Sequence, residues 1–147
     1  MPQQAGLNQL NLVVRDMDAT LGFYRRLGLD VEADPGAFHA AAHLPSGMLI
    51  EWDRAEFFSQ WNTGWNGTTG GSAVLGFWLT SREAVDDLYT DLTGAGHNGH
   101  QPPYDAFWGG RYAIVEDPDG NSIGLMSPTD PTLEYWPPNP PPQATSS

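Results

Sequence analysis

Leu10-Asn-Leu-Val-Val14 and Leu75-Gly-Phe-Trp-Leu79 align under a shift of 65 residues, with large apolar residues at every second place in both. The same shift lays Tyr24 on Tyr89 and Leu27 on Leu92. Further on, Gly47-Met-Leu-Ile-Glu-Trp52 matches Gly120-Asn-Ser-Ile-Gly-Leu125 under a shift of 73. The second copy therefore carries about eight extra residues before its last strand. Short apolar runs such as Gln9–Val14 read as strands. Met17, Leu21, Tyr24 and Leu27 recur at helical spacing behind the potential caps Asp16 and Asp18, and Gly28 ends that helix. Val85, Leu88 and Leu92 do the same behind Ser81, with Gly94 and Gly96 at the end. Strands are expected over Gly36–Leu44 and Gly47–Asp53, joined by Pro45-Ser46-Gly47, and a last hairpin turns across Asp117-Pro-Asp-Gly120. The repeat predicts an α+β fold of two βαβββ modules. Their expected bounds are residues 7–58 and 73–128, joined by a Gly- and Asn-rich loop over 59–72.

Residues 129–147 form a tail. From Pro128 onward the chain holds seven of its thirteen prolines, a composition that favours extended, polyproline-like backbone. Leu133, Tyr135 and Trp136 are the side chains able to anchor it. At 147 residues the chain suits one ordinary domain or two small modules. Six Arg, no Lys and eighteen acidic residues give a net charge of −12, which excludes the basic surface that nucleic acid requires and disfavours anionic membranes. The absence of Cys excludes disulfides, thiolate metal sites and a cysteine nucleophile. No apolar run approaches a membrane span and Met1–Asn11 lacks a signal-peptide core, so a cytoplasmic, soluble protein is expected.

The paired modules, with Leu-Asn-Leu-Val-Val-Arg-Asp-Met-Asp (residues 10–18) and Phe23-Tyr-Arg-Arg-Leu-Gly28 in the first, resemble the vicinal oxygen chelate superfamily. That group includes glyoxalase I, extradiol dioxygenases and bleomycin-resistance proteins. The stretch Trp108-Gly-Gly-Arg-Tyr-Ala-Ile-Val-Glu-Asp-Pro-Asp-Gly-Asn121 is similar to its bleomycin-resistance-like branch. Glu51-Trp-Asp53, Trp65 with Thr69-Gly-Gly71, and Ala106–Ala113 more particularly resemble mitomycin- and thiocoraline-binding resistance proteins. The resemblance covers about residues 7–128. It implies a cupped mixed sheet, a homodimer whose pockets are shared between protomers, and, in the enzymes, a metal held from the first and last strands of each module.

Those four positions are Gln9, Glu51, Val74 and Gly124. Gln9 and Glu51 can ligate a cation, whereas Val74 and Gly124 have no side-chain donor, so no metal and no cofactor are expected and the first two positions are vestigial. His39 and His43 cannot share one ion, because residues four apart on a strand lie about 13 Å apart. His97 and His100 fall in a Gly-rich loop and are expected to be solvated. His39 is the histidine able to point into the cup and hydrogen-bond a ligand.

Aromatic residues are abundant, with six Trp. Trp61, Trp65 and Trp108 sit among Asn, Thr and Gly without amphipathic period, a setting more typical of pockets than of cores. Trp52 and Trp78 lie in strands and are assigned to packing. The expected ligand-binding set is Trp108, Trp65, Trp61, Phe38, His39, Glu51, Asp53, Phe57, Tyr104, Arg111 and Asn11. Trp108 is the stacking platform in this set, partly by its match to the resistance branch. Arg111 either donates to a ligand or pairs with acids such as Glu116. Two aromatic planes with acids nearby suit a flat, cationic or amine-bearing ring. The leading expectation is non-catalytic sequestration of a flat aromatic antibiotic, mitomycin-, bleomycin- or thiocoraline-like. The alternative is a divalent-metal-dependent lyase, isomerase or dioxygenase using Glu51, Gln9 and a third group such as His39, or Glu51 acting as a general base without metal. A third possibility is an interaction module whose proline-rich tail docks on a partner.

Overall fold

The computed structural model describes residues 5–71 and 73–138. It divides into two compact units, Met1–Thr69 and Gly70–Ser147.

The first unit contains strand β1 (Gln9–Val14), helix α1 (Met17–Arg26), strands β2 (His39–His43) and β3 (Leu49–Arg54), and helix α2 (Ala55–Trp61). Asp16 caps α1 by accepting the Ala19 N–H at 3.1 Å, and Gly28 leaves the helix at φ +100°. The strand order is β1-β3-β2, with β3 parallel to β1 and antiparallel to β2. Strand alternation puts Leu12, Val14, Ala40, Ala42, Ile50 and Trp52 on one buried face. Met17, Leu21 and Tyr24 of α1 complete that core, and the Tyr24 and Trp52 ring centroids lie 5.1 Å apart. Between α1 and β2, residues 28–38 form no strand, so this copy of the repeat pairs three strands where the second pairs four.

The second unit contains β4 (Val74–Trp78), α3 (Arg82–Gly94), β5 (Gly99–Asp105), β6 (Arg111–Glu116) and β7 (Ser122–Met126). Ser81 caps α3 by accepting the Ala84 N–H at 3.0 Å. The order is β4-β7-β6-β5, with β4 parallel to β7 and the rest antiparallel. Gln9 pairs with Leu49 and Val74 with Ser122, so the parallel pairs of the two units map onto each other under the two shifts read in the sequence. Val85, Leu92, Ala113, Val115, Ile123 and Leu125 form the core against α3. The Asp117 carboxylate ties the last hairpin by accepting the Asp119 and Asn121 N–H groups, each at 2.9 Å.

Three expectations are corrected here. Residues 55–61, read in part as loop, form α2. His100 is exposed as expected but belongs to strand β5 rather than to a loop, with its Nδ1 3.3 Å from Glu116. Trp78 is not packed away: it is 83% exposed on the face of β4 opposite Leu75 and Phe77.

The described part of the tail lies along its own unit. Asp130 caps a short 3-10 turn (Pro131–Leu133), and its N–H donates to the Gly109 carbonyl at 3.0 Å. Tyr135 is the anchor, with its N–H on Phe107 O at 3.0 Å and its hydroxyl donating to Asp105 O at 2.7 Å. Leu133 and Trp136 remain exposed, and residues 139–147 lie outside the described residues.

Candidate functional site

On the first unit's sheet, the face away from α1 carries polar side chains in register. β3 lies in the middle, so Glu51 has Asn11 on one side and Ala41 on the other, and Asp53 has Val13 and His39. Helix α2 begins where β3 ends and carries Phe57 and Trp61 toward this face. Together they enclose a pocket of about 290 Å³ with Gln9, Asn11, His39, Glu51 and Asp53 as its polar lining.

The polar groups are connected. Glu51 Oε2 accepts from Asn11 Nδ2 at 2.7 Å and from Gln9 Nε2 at 3.0 Å. Gln9 Nε2 also donates to Asn11 Oδ1 at 2.7 Å. His39 Nδ1 meets Asp53 Oδ1 at 2.5 Å, and Nε2 of the same ring lies 3.9 Å from Glu51 Oε1. Asp53 is 1% exposed, a buried carboxylate whose desolvation is costly unless it is hydrogen-bonded. The His39 and Phe57 ring centroids are 5.9 Å apart. Exposed Trp61 packs its edge on buried Phe58 at 4.8 Å.

Of the expected ligand set, Asn11, His39, Glu51, Asp53, Phe57 and Trp61 are thus brought together. Trp65 and Phe38 do not line this pocket. Trp65 donates its indole N–H to Thr68 O at 2.8 Å and packs against Phe58, a local role as the closure of its own turn. Phe38 lies beneath the Arg54 guanidinium, 5.2 Å from its ring centroid.

The second unit gathers a separate aromatic group. Trp108 meets Phe107 at 5.2 Å and Tyr112 at 5.3 Å, both edge to face. Tyr104 pairs across strands with Tyr112. Burial, then the neighbouring Tyr104, raises the Tyr112 phenol above its ordinary value; burial, then Tyr135, does the same for Tyr104. Both remain neutral hydrogen-bonding groups at physiological pH. Phe107, Trp108, Glu134, Tyr135 and Trp136 border a further open hollow of about 540 Å³, a role for the tail that its composition gave no sign of. Arg111 is committed to the protein: Nε lies 2.9 Å from Asp86 and Nη1 3.2 Å from Asp105, not on Glu116. Arg82 also pairs with Asp105. Partial burial pushes the Asp105 carboxyl up, but the Arg82 hydrogen bond and the Arg111 and Arg82 charges outweigh it and hold it below the usual carboxylate value.

The donor set does not fit a resident metal. Glu51 Oε2 is capped by two amide N–H groups, which repel a cation. In the second unit Val74 offers methyl groups, and the space a side chain at Gly124 would fill is held by the Tyr112 hydroxyl, 2.7 Å from that Cβ position. Among the described residues no three His, Asp or Glu are arranged to hold an ion. Nor is any helix among them long and apolar enough to cross a membrane.

A model of the glyoxalase/bleomycin resistance protein/dioxygenase superfamily matches residues 6–125. Among solved structures, a glyoxalase-related enzyme from Fulvimarina pelagi is similar at 22% identity and TM-score 0.73, over 86% of this chain and 89% of that one. Lactoylglutathione lyase from Agrobacterium tumefaciens is similar at 16% identity and TM-score 0.61, over 86% and 96%. TioX from Micromonospora sp. ML1 is similar at 20% identity and TM-score 0.57, over 84% and 98%. At these identities the likeness is one of fold. No curated protein matches the sequence.

Proposed function

Since the chain belongs to the glyoxalase/bleomycin resistance protein/dioxygenase superfamily, we propose that it binds and sequesters a flat aromatic natural product, as an antibiotic-resistance or self-protection protein does. The observation that carries this reading is the first-unit pocket, where Phe57 and Trp61 stand over a lining of amides, carboxylates and one imidazole. Aromatic walls hold a planar ring by stacking, and the acids select a ligand with an amine or other hydrogen-bond donors. Retention needs affinity alone, and the donor set gives metal-assisted turnover no support. In this reading the protein is a cytoplasmic homodimer, and Trp108 and Tyr104 offer a further aromatic surface on the second unit. Exposed Trp78 and Val74 on the second sheet support such an interface, since large apolar side chains grouped on a surface mark contact sites.

Tryptophan fluorescence tests it directly. Titration with mitomycin-like quinones, quinoxaline or quinoline peptides and bleomycins is expected to give saturable quenching with at least one class, weakened in Trp61→Ala and Trp108→Ala. Absence of saturable quenching by every compound overturns the reading; unchanged quenching in one variant removes only that residue's role. Metal analysis of protein purified without chelator is expected to find no stoichiometric ion. A stoichiometric ion would favour the metal-dependent lyase, isomerase or dioxygenase instead.

A further inference from the structure

Sequestration requires no chemistry, yet the pocket holds a group arranged for it. Asp53 is nearly fully buried in the middle strand, and its cross-strand partner is His39 on the edge strand β2. A carboxylate accepts, so in the neutral form of the ring a 2.5 Å contact with Asp53 favours the tautomer with its hydrogen on Nδ1 and its lone pair on Nε2. That nitrogen is on the pocket side, facing Glu51 Oε1 across 3.9 Å. The gap is too long for a hydrogen bond between the two, and a ligand atom set to the pocket side of the line joining them, about 2.8 Å from each, reaches both. Ala41, the residue paired with Glu51 on β2, adds no bulk beyond a methyl group beside it. His39 is 42% exposed at its side chain, so it is accessible without local unfolding. A fold needing only stability is served as well by an apolar pair at positions 39 and 53, without the desolvation of a carboxylate.

We propose that this pocket is a proton-transfer site in which His39 Nε2 is the general base and Asp53 its positioning residue. The substrate class is a planar aromatic or conjugated carbonyl compound bearing an acidic C–H, seated against Phe57 and Trp61. In the step, the C–H bond breaks, the proton passes to Nε2, and the electron pair moves to the adjacent carbonyl oxygen as an enolate. Return of the proton to a different atom of the same molecule completes an isomerisation, with no oxidant, reductant or co-reactant consumed. The charged groups facing His39 are Glu51 and Asp53 of β3; β1 supplies only the amides of Gln9 and Asn11. From α2 come Phe57 and Trp61, while Glu56 of that helix is paired with Arg54.

The proposal is tested with 5-nitrobenzisoxazole, a flat probe from which a base removes the ring C–H. Its electron pair forms the nitrile as the N–O bond breaks, giving a coloured cyanonitrophenolate. The protein is expected to turn it over saturably, at least ~100-fold faster than an equal concentration of free imidazole. His39→Gln is expected to lose that acceleration by ~100-fold or more, and added imidazole to restore it in His39→Gly. Asp53→Asn is expected to lower kcat with KM little changed, at unaltered far-ultraviolet circular dichroism. Turnover no faster than free imidazole overturns the proposal. So does turnover retained in His39→Gln but lost in Glu51→Gln, which would make Glu51 the base. His39 lies at the surface of the edge strand, so its variants fold even where Asp53→Asn does not. The outcome is independent of the antibiotic titration, because the probe is not one of those drugs.

Discussion

Gly124 shows how one residue shapes the chemistry open to the second sheet. A Cβ there would stand 2.7 Å from the Tyr112 hydroxyl and 3.2 Å from Val74 Cγ1, so the position where a metal-binding relative would carry a donor is sterically closed. Gly124→Ala is expected to destabilise the protein by about 1–3 kcal/mol through overpacking, measured by denaturant unfolding. Tyr112→Phe removes the nearest clashing atom, so the double variant should recover much of that loss, and strictly additive losses would contradict the contact. Gly109 carries a different constraint. Its φ is +87° and a Cβ would lie 2.3 Å from Asp130 O, so it is the residue that lets the tail approach the sheet.

Among elements, α2 supplies the aromatic wall of the first-unit pocket and is one of two that the sequence concealed. It spans a mere seven residues, has no side-chain cap and buries only Phe58, so it has neither period nor boundary signal. Phe58→Ala is expected to cost about 3 kcal/mol and to shift tryptophan emission, because Trp61 and Trp65 both rest on that ring. β5 was hidden for another reason: Pro102 and Pro103 argue against a strand, and only edge position and two register shifts accommodate them. By contrast, α1, α3 and the parallel strand pairs were legible because caps, stops and the repeated order of apolar residues agreed. In the candidate site, alternation within each strand groups Gln9 with Asn11 and Glu51 with Asp53, and it was the family resemblance that turned both pairs to one side. The His39–Asp53 contact was not legible, since cross-strand register depends on tertiary pairing. The ions Arg82, Asp105, Arg111 and Asp86 join α3, β5 and β6. With Asp105 held below its usual 3.8, that link is complete above pH 3.8 and is lost as pH falls through the folded value. Asp105 is two-thirds exposed, so solvent screening limits the effect to roughly 0.5 kcal/mol. Melting temperatures of the protein and Asp105→Asn should differ at neutral pH and converge in strong acid.

At the scale of the molecule, charge is unequally shared. The first unit holds four Arg and eight acidic residues, the second two Arg and ten, so net charges of −4 and −8 make up the −12. Such a field accelerates the approach of cationic ligands and is screened over roughly 10 Å at 0.1 M salt. Stopped-flow quenching by a cationic planar dye should slow on the order of tenfold between roughly 0.01 M and 0.5 M salt, while a neutral ring of similar size shows no trend. The proline pair of β5 has its own consequence at this scale. An outermost strand normally presents a row of free N–H and C=O groups to any extended chain it meets, and two consecutive residues without N–H, set in an irregular register, interrupt that row. This border of the second sheet is therefore a poor template for recruiting another strand, which protects a concentrated solution of the protein against fibre growth from that side.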